Sequence, residues 1–181
     1  MPLLLSTALK YGVKTKDRFA IFPKLSVILA KFYLNNMDFS LLTFDTPLSI
    51  INEAVKDSLV GNMGIEITKI AEGQVEGSLQ LSTKNSRPGG ILHGGANLAL
   101  GETLAGLGSM LLVDLKIYDV LGIQVNGNHT GVLRKGTAKA VAKIIHQGKQ
   151  THVWNVDICS EEGRLISCVR VTNMITERND K

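Results

Sequence analysis

Glu102 is the only charged residue between Arg87 and Asp114, and it stands among leucines, alanines and glycines. A carboxylate in such company must be paired, neutralised or put to use, because burying it without partners is unfavourable by several kcal/mol. As a nucleophile or general base it would gain reactivity from desolvation. The competing reading is a glutamate at a helix edge that reaches solvent. Eight residues earlier stands Gly94, inside the run Gly89-Gly90-Ile91-Leu92-His93-Gly94-Gly95. A glycine pair opening a helix presents backbone N–H groups free of side-chain obstruction. Such donors suit a carbonyl oxygen that becomes negative during acyl transfer. The same glycines also fit a plain tight turn, and spacing by itself favours the turn. His93 reads first as a structural residue that orients the loop and second as an acid–base group.

Gly94 and Glu102 lie about 12 Å apart along a helix at 1.5 Å per residue. They cannot both touch one carbonyl within a single chain. If both act on the same group, Gly94 of one subunit must meet Glu102 of another, which requires a homodimer with helices side by side.

The element that carries Glu102 is a helix over roughly Gly95 to Val113. Its residues leave no polar stripe, and a helix apolar all round belongs in an interior. Gly101, Gly106 and Gly108 each lower helix propensity by about 1 kcal/mol, so they are expected where a neighbouring element presses on the backbone. On both sides of this helix the pattern alternates. Ile65, Ile67 and Ile70 precede a turn at Glu72-Gly73, and Val75, Gly77, Leu79 and Leu81 follow it with the period of a half-buried strand. Four more strands are marked by Ile123 and Val125, by Ala138 to Ile144, by Trp154, Val156 and Ile158, and by Leu165 to Met174. Short glycine-containing turns between the later ones imply antiparallel neighbours. A further helix is expected from Pro47 to Val60, capped by Thr46 and ended by Gly61-Asn62. The fold class is therefore α+β, an antiparallel sheet wrapped around one long central helix.

Charge and composition exclude several classes. The 181 residues carry a net charge of +4 and are 44% hydrophobic, so the chain is globular. Residues 1–36 hold six basic side chains against Asp17 alone, which leaves the remainder near −1. The main body is thus not basic, and nucleic-acid binding is not indicated. No segment reads as a transmembrane helix, since the apolar run from Phe19 to Leu34 is broken by Pro23, Lys24 and Lys31. Cys159 and Cys168 show no metal-ligand spacing and read as free thiols in a reducing, cytoplasmic setting. No metal and no resident cofactor are expected. The chain divides into a basic extension, residues 1–36, which is loosely attached or lies upstream of the natural start, and one domain, residues 37–181.

The run Arg87 to Ala96, followed by Leu100-Gly101-Glu102-Thr103, resembles the signature of the hotdog thioesterases. Within them it is similar to the branch of Arthrobacter-type 4-hydroxybenzoyl-CoA thioesterase, 1,4-dihydroxy-2-naphthoyl-CoA thioesterases and PaaI-like proteins. The resemblance spans about residues 47–175 and extends to Gly122 through His129 and to His146 through Trp154. It implies a hotdog fold and hydrolysis of an acyl-CoA, aromatic or medium-chain, to acid and CoA. It places the helix glutamate at Glu102 and the carbonyl-polarising N–H at Gly94, with His93 supporting the loop. Two subunits would pair their sheets, and such dimers can pair again. Gly95 and His129 join the substrate-binding candidates, and Arg134, Lys135 and Lys149 are candidates for the CoA phosphates or plain turn charges. Two departures stand out. Many relatives carry glutamine where this chain has Arg87, which still donates hydrogen bonds but adds a fixed charge. Many have Ser or Thr where this chain has Gly106. These departures motivate a rival reading, a non-catalytic acyl-CoA-binding protein. A hydroxyacyl-thioester dehydratase using His93 with Glu102 is the third.

Overall fold

The six alternating segments become one antiparallel sheet, and two short strands that the alternation did not mark bring the described residues to eight strands. They are β1 (Ile65–Ala71), β2 (Gln74–Gln80), β3 (Ser86–Arg87), β4 (Ile91–Leu92), β5 (Tyr118–His129), β6 (Thr137–Gln147), β7 (Thr151–Cys159) and β8 (Leu165–Glu177). The large sheet runs β1-β2-β6-β7-β8-β5, while β3 and β4 form a minimal hairpin of their own. The computed structural model describes residues 39–178, and these belong to one unit that starts at Asp38. The expectations for residues 1–36 lie outside the described residues. Among the described residues no helix is long and apolar enough to cross a membrane.

One long helix, α3 (Gly94–Leu111), packs across the sheet. Fully buried Trp154, Leu79, Leu100, Leu104 and Ile158 fill the space between them. Glycines set the distance of approach. A Cβ at Gly101 would lie 2.9 Å from Val169 Cγ1, one at Gly77 would lie 2.7 Å from Leu104 Cδ2, and Gly108 faces the Trp154 ring more closely still. Gly101 and Gly108 are thus the close-approach positions expected of them. Gly106 is not, because a Cβ there would meet nothing within 4 Å.

Polar side chains lock this packing in place. Ser109 Oγ, fully buried, accepts from Trp154 Nε1 at 2.8 Å and from Asn173 Nδ2 at 2.9 Å. Asn173 Nδ2 also donates to the Ala105 carbonyl at 3.1 Å. Three polar groups that would each be unfavourable alone in a core satisfy one another there.

Two further expectations are corrected. The segment 47–60 is not one helix but two, α1 (Leu48–Ala54) and α2 (Leu59–Met63). Ser58 breaks the run by capping α2 with its hydroxyl, which accepts from Val60 N, and Gly64 ends α2 in the left-handed region. Pro47 rather than Thr46 holds the N-cap of α1, and Thr46 Oγ1 accepts from Thr43 N instead. Asn52 docks α1 on the edge strand β1, its amide exchanging two hydrogen bonds with the backbone of Ile67. The second correction concerns α3, which is not apolar-buried all round. Its sheet-facing residues are buried, while Ala99, Thr103, Gly106 and Met110 are only partly covered and Glu102 is exposed.

Candidate functional site

The loop before α3 is held from below by Asn85. This buried side chain accepts from Ser82 N at 2.8 Å and donates to the carbonyls of Met63 and Gln80 at 2.9 and 2.8 Å. Its own carbonyl accepts from His93 N at 3.0 Å. Above it, Gly89 and Gly90 turn β3 into β4 with φ of 94° and 70°, a region side chains rarely enter. For that first glycine pair the tight-turn reading holds.

The second pair opens the helix. His93 is the N-cap of α3, and its Nδ1 accepts from Gly95 N at 2.8 Å. The proton of a neutral His93 then belongs on Nε2. This is the structural role expected of it, and it occupies the Gly95 N–H, so Gly95 has no free donor for substrate. Gly94, at the first helical position, has an N–H with no intrahelical acceptor. His129 covers the Gly94 Cα from the end of β5. A Cβ at Gly94 would lie 2.6 Å from His129 Nε2, while His129 Nδ1 lies 3.0 Å from the hydroxyl of buried Ser167. Arg87, exposed on β3, has no ion pair or hydrogen-bonded side-chain partner among the described residues. Gly94, His93, His129 and Arg87 thus gather at one end of α3.

Glu102 sits two turns further on, about 12 Å away along the helix axis. It is exposed and makes no ion pair with a described residue. The expectation of a carboxylate buried within the fold is therefore corrected: in the single chain Glu102 lies on the flank of α3 beside the edge strand β5, where no described residue closes it off from solvent. Its Oε1 rests beside Gly122 of β5, 2.9 Å from where a Cβ would stand, with Asn173 Oδ1 3.8 Å from the same point.

The basic candidates do not form one group. Leu133 O accepts from Leu92 N, which puts Arg134 and Lys135 near the Gly94 end. Lys149 lies in the turn after β6, whose 11 residues separate it from Lys135 by roughly 33 Å at 3.3 Å per residue. All three are exposed, and Lys149 cannot share a phosphate group with the other two in one subunit. Asn85, Ser167, Gly122 and Asn173, which lie against these residues, were missed. Asn85 looks like any polar turn residue, and the other three act through contacts made only in the folded chain.

Comparison with known proteins shows the family and the fold. The pattern of the thioesterase superfamily matches residues 89–167. The 1,4-dihydroxy-2-naphthoyl-CoA hydrolase of Escherichia coli is 30% identical over 128 residues, covering 71% of this chain and 93% of that protein. A solved thioesterase of Haemophilus influenzae superposes with a TM-score of 0.69 at 32% identity, covering 72% of this chain and 91% of that one. A glutamine-to-alanine mutant of a Pseudomonas aeruginosa thioesterase gives a TM-score of 0.71 at 33% identity, over 74% and 97% of the two chains. With these relatives, and with a six-stranded antiparallel sheet behind one long helix, this chain belongs to the hotdog-fold thioesterase superfamily.

Proposed function

We propose that this protein hydrolyses an acyl-CoA thioester, aromatic or medium-chain, to the free acid and CoA, with Glu102 as the catalytic carboxylate. The observation that carries the reading is that α3 holds both a carboxylate without an ion pair among the described residues and, at its start, a backbone N–H without an acceptor among them. Glu102 either attacks the thioester carbonyl carbon or takes a proton from the attacking water. The electron pair moves onto the carbonyl oxygen, where the Gly94 N–H stabilises it. Collapse expels the CoA thiolate. In the direct-attack route, water then cleaves the glutamyl anhydride and restores the carboxylate.

The two groups work together only across a homodimer. Two features support that assembly: the partly open stripe of α3 around Glu102, and the edge of β5, which no other strand pairs among the described residues and where Leu121 and Ile123 are 47% and 54% exposed. An edge of this length with apolar side chains favours pairing with another strand. Dimers of such dimers are a further step of the same kind. Arg134 and Lys135 would meet CoA phosphates near the Gly94 end, and the reaction needs neither metal nor cofactor. We place the protein in the cytoplasm, in keeping with two unpaired cysteines.

The test is thiol release from a panel of aromatic and aliphatic acyl-CoAs by the native protein and by Glu102→Ala. A rate that collapses in the variant, by about 100-fold or more, supports the reading and identifies the acyl class. Binding without thiol release would replace it with an acyl-CoA-binding role, and an enoyl product with dehydration. The dehydratase is disfavoured by His93, whose Nδ1 is already occupied by the Gly95 N–H.

A further inference from the structure

Gly122 is a glycine without a backbone reason to be one. It lies inside β5, where glycine weakens a strand by adding freedom to the unfolded chain and contributing no side-chain contact. Its φ is not among the positive ones, so the conformation accepts any residue. The nearest group to a Cβ at this position is the carboxylate of Glu102, with Oε1 at 2.9 Å. The other inward glycine of β5, Gly127, has a different neighbour: its space is taken by Leu98 Cδ2 at 2.5 Å and Val169 Cγ2 at 3.4 Å, which is ordinary helix-on-sheet packing. The strand is also irregular at this point. Its register against β8 shifts between Gly122 and Gln124, leaving Ile123 as an extra residue, and such bulges re-aim the backbone locally.

We propose that Gly122 is a positioning residue for the reaction, forming with the bulge of β5 a seat that only a residue without a side chain can offer to the Glu102 carboxylate. Behind that seat stands Asn173, whose Nδ2 is committed to Ala105 O and Ser109 Oγ. Its amide is thereby fixed with Oδ1 turned toward Gly122. The seat therefore has a rigid back wall and an open front. A methyl group at 122 would displace the end of a flexible side chain rather than backbone or core, so the fold tolerates it while the carboxylate loses its place. This inference rests on Glu102 being the catalytic carboxylate.

The experiment compares Gly122→Ala with the native protein in steady-state thiol release and thermal unfolding. The expected result is a kcat lowered about 10- to 100-fold, as for a reacting group shifted by about 1 Å, with KM and the unfolding midpoint unchanged. In a Glu102→Asp background the same substitution should alter kcat by less than about twofold, because the shorter side chain stops short of Gly122. An unchanged kcat in Gly122→Ala overturns the proposal. So does a fall in the unfolding midpoint that tracks the lost activity, or a loss that multiplies in the Asp background. Glu102→Gln separates the two levels. Full activity in that variant removes the role of Glu102 itself, whereas loss there with a normal Gly122→Ala removes only the seat.

Discussion

His129 and Gly94 share a boundary with no room for a methyl group. Gly94→Ala is expected to push the imidazole off Ser167, lowering stability by about 1–3 kcal/mol through overpacking as well as slowing thiol release. Adding His129→Ala should restore the unfolding midpoint, which thermal denaturation of the single and double variants would show. The basic residues divide in the same way. Arg134→Ala and Lys135→Ala are expected to raise KM for an acyl-CoA but not for the acyl-pantetheine that lacks the nucleotide phosphates, while Lys149→Ala changes neither. At this scale the sequence was partly legible. Glu102 announced itself by isolation, and His93 by its place before two glycines. The separation of Lys149 from Arg134 and Lys135 within one subunit was not legible, because distance along a strand is invisible among turn charges. Gly122 and Asn173 were unreadable as a pair with Glu102, since 51 residues separate them from each other and only the register of β5 on β8 joins them.

Helix α3 is registered on the sheet by shape and by hydrogen bonds together. Trp154 presses its ring against Gly108 while its Nε1 donates to Ser109. Trp154→Phe keeps most of the ring and leaves Ser109 short of one donor, so a loss of about 1–2 kcal/mol is expected in denaturant titration. The helix was legible as an element because its apolar residues are dense and long in sequence. Its exposed side was not, because leucine, alanine and glycine look the same whether they face a sheet or an open flank. The break between α1 and α2 was hidden for a related reason. Leu48, Ile51, Val55 and Leu59 keep helical spacing straight through it, and a single serine hydroxyl decides the outcome locally. Leu59 ends up 68% exposed, so its place in that pattern was coincidental.

For the whole molecule, alternation and short turns sufficed to read an antiparallel sheet around one helix. What they left unread was where polarity enters the core. His152 is one such place, 2% exposed with no partner for Nδ1 among the described residues. Burial, and next the nearby His146, push its pKa below the ordinary 6.5. The unfolded chain therefore binds a proton more readily than the folded one just below that value. Stability present above pH 6.5 is lost as the pH falls beneath it. The unfolding midpoint should drop in that range, and His152→Asn should flatten the dependence.

The separation of Gly94 from Glu102 along one helix has a genetic consequence. If each reaction centre borrows one group from either subunit, defects in the two groups belong to different complementation classes. Chains carrying Glu102→Ala and chains carrying a defect at Gly94, each inactive alone, would regain activity when mixed and allowed to exchange subunits. Random pairing makes half the dimers hybrids, each with one whole centre and one doubly broken one, so recovery should approach about a quarter of the native rate. An enzyme whose centre lay within one chain would recover nothing.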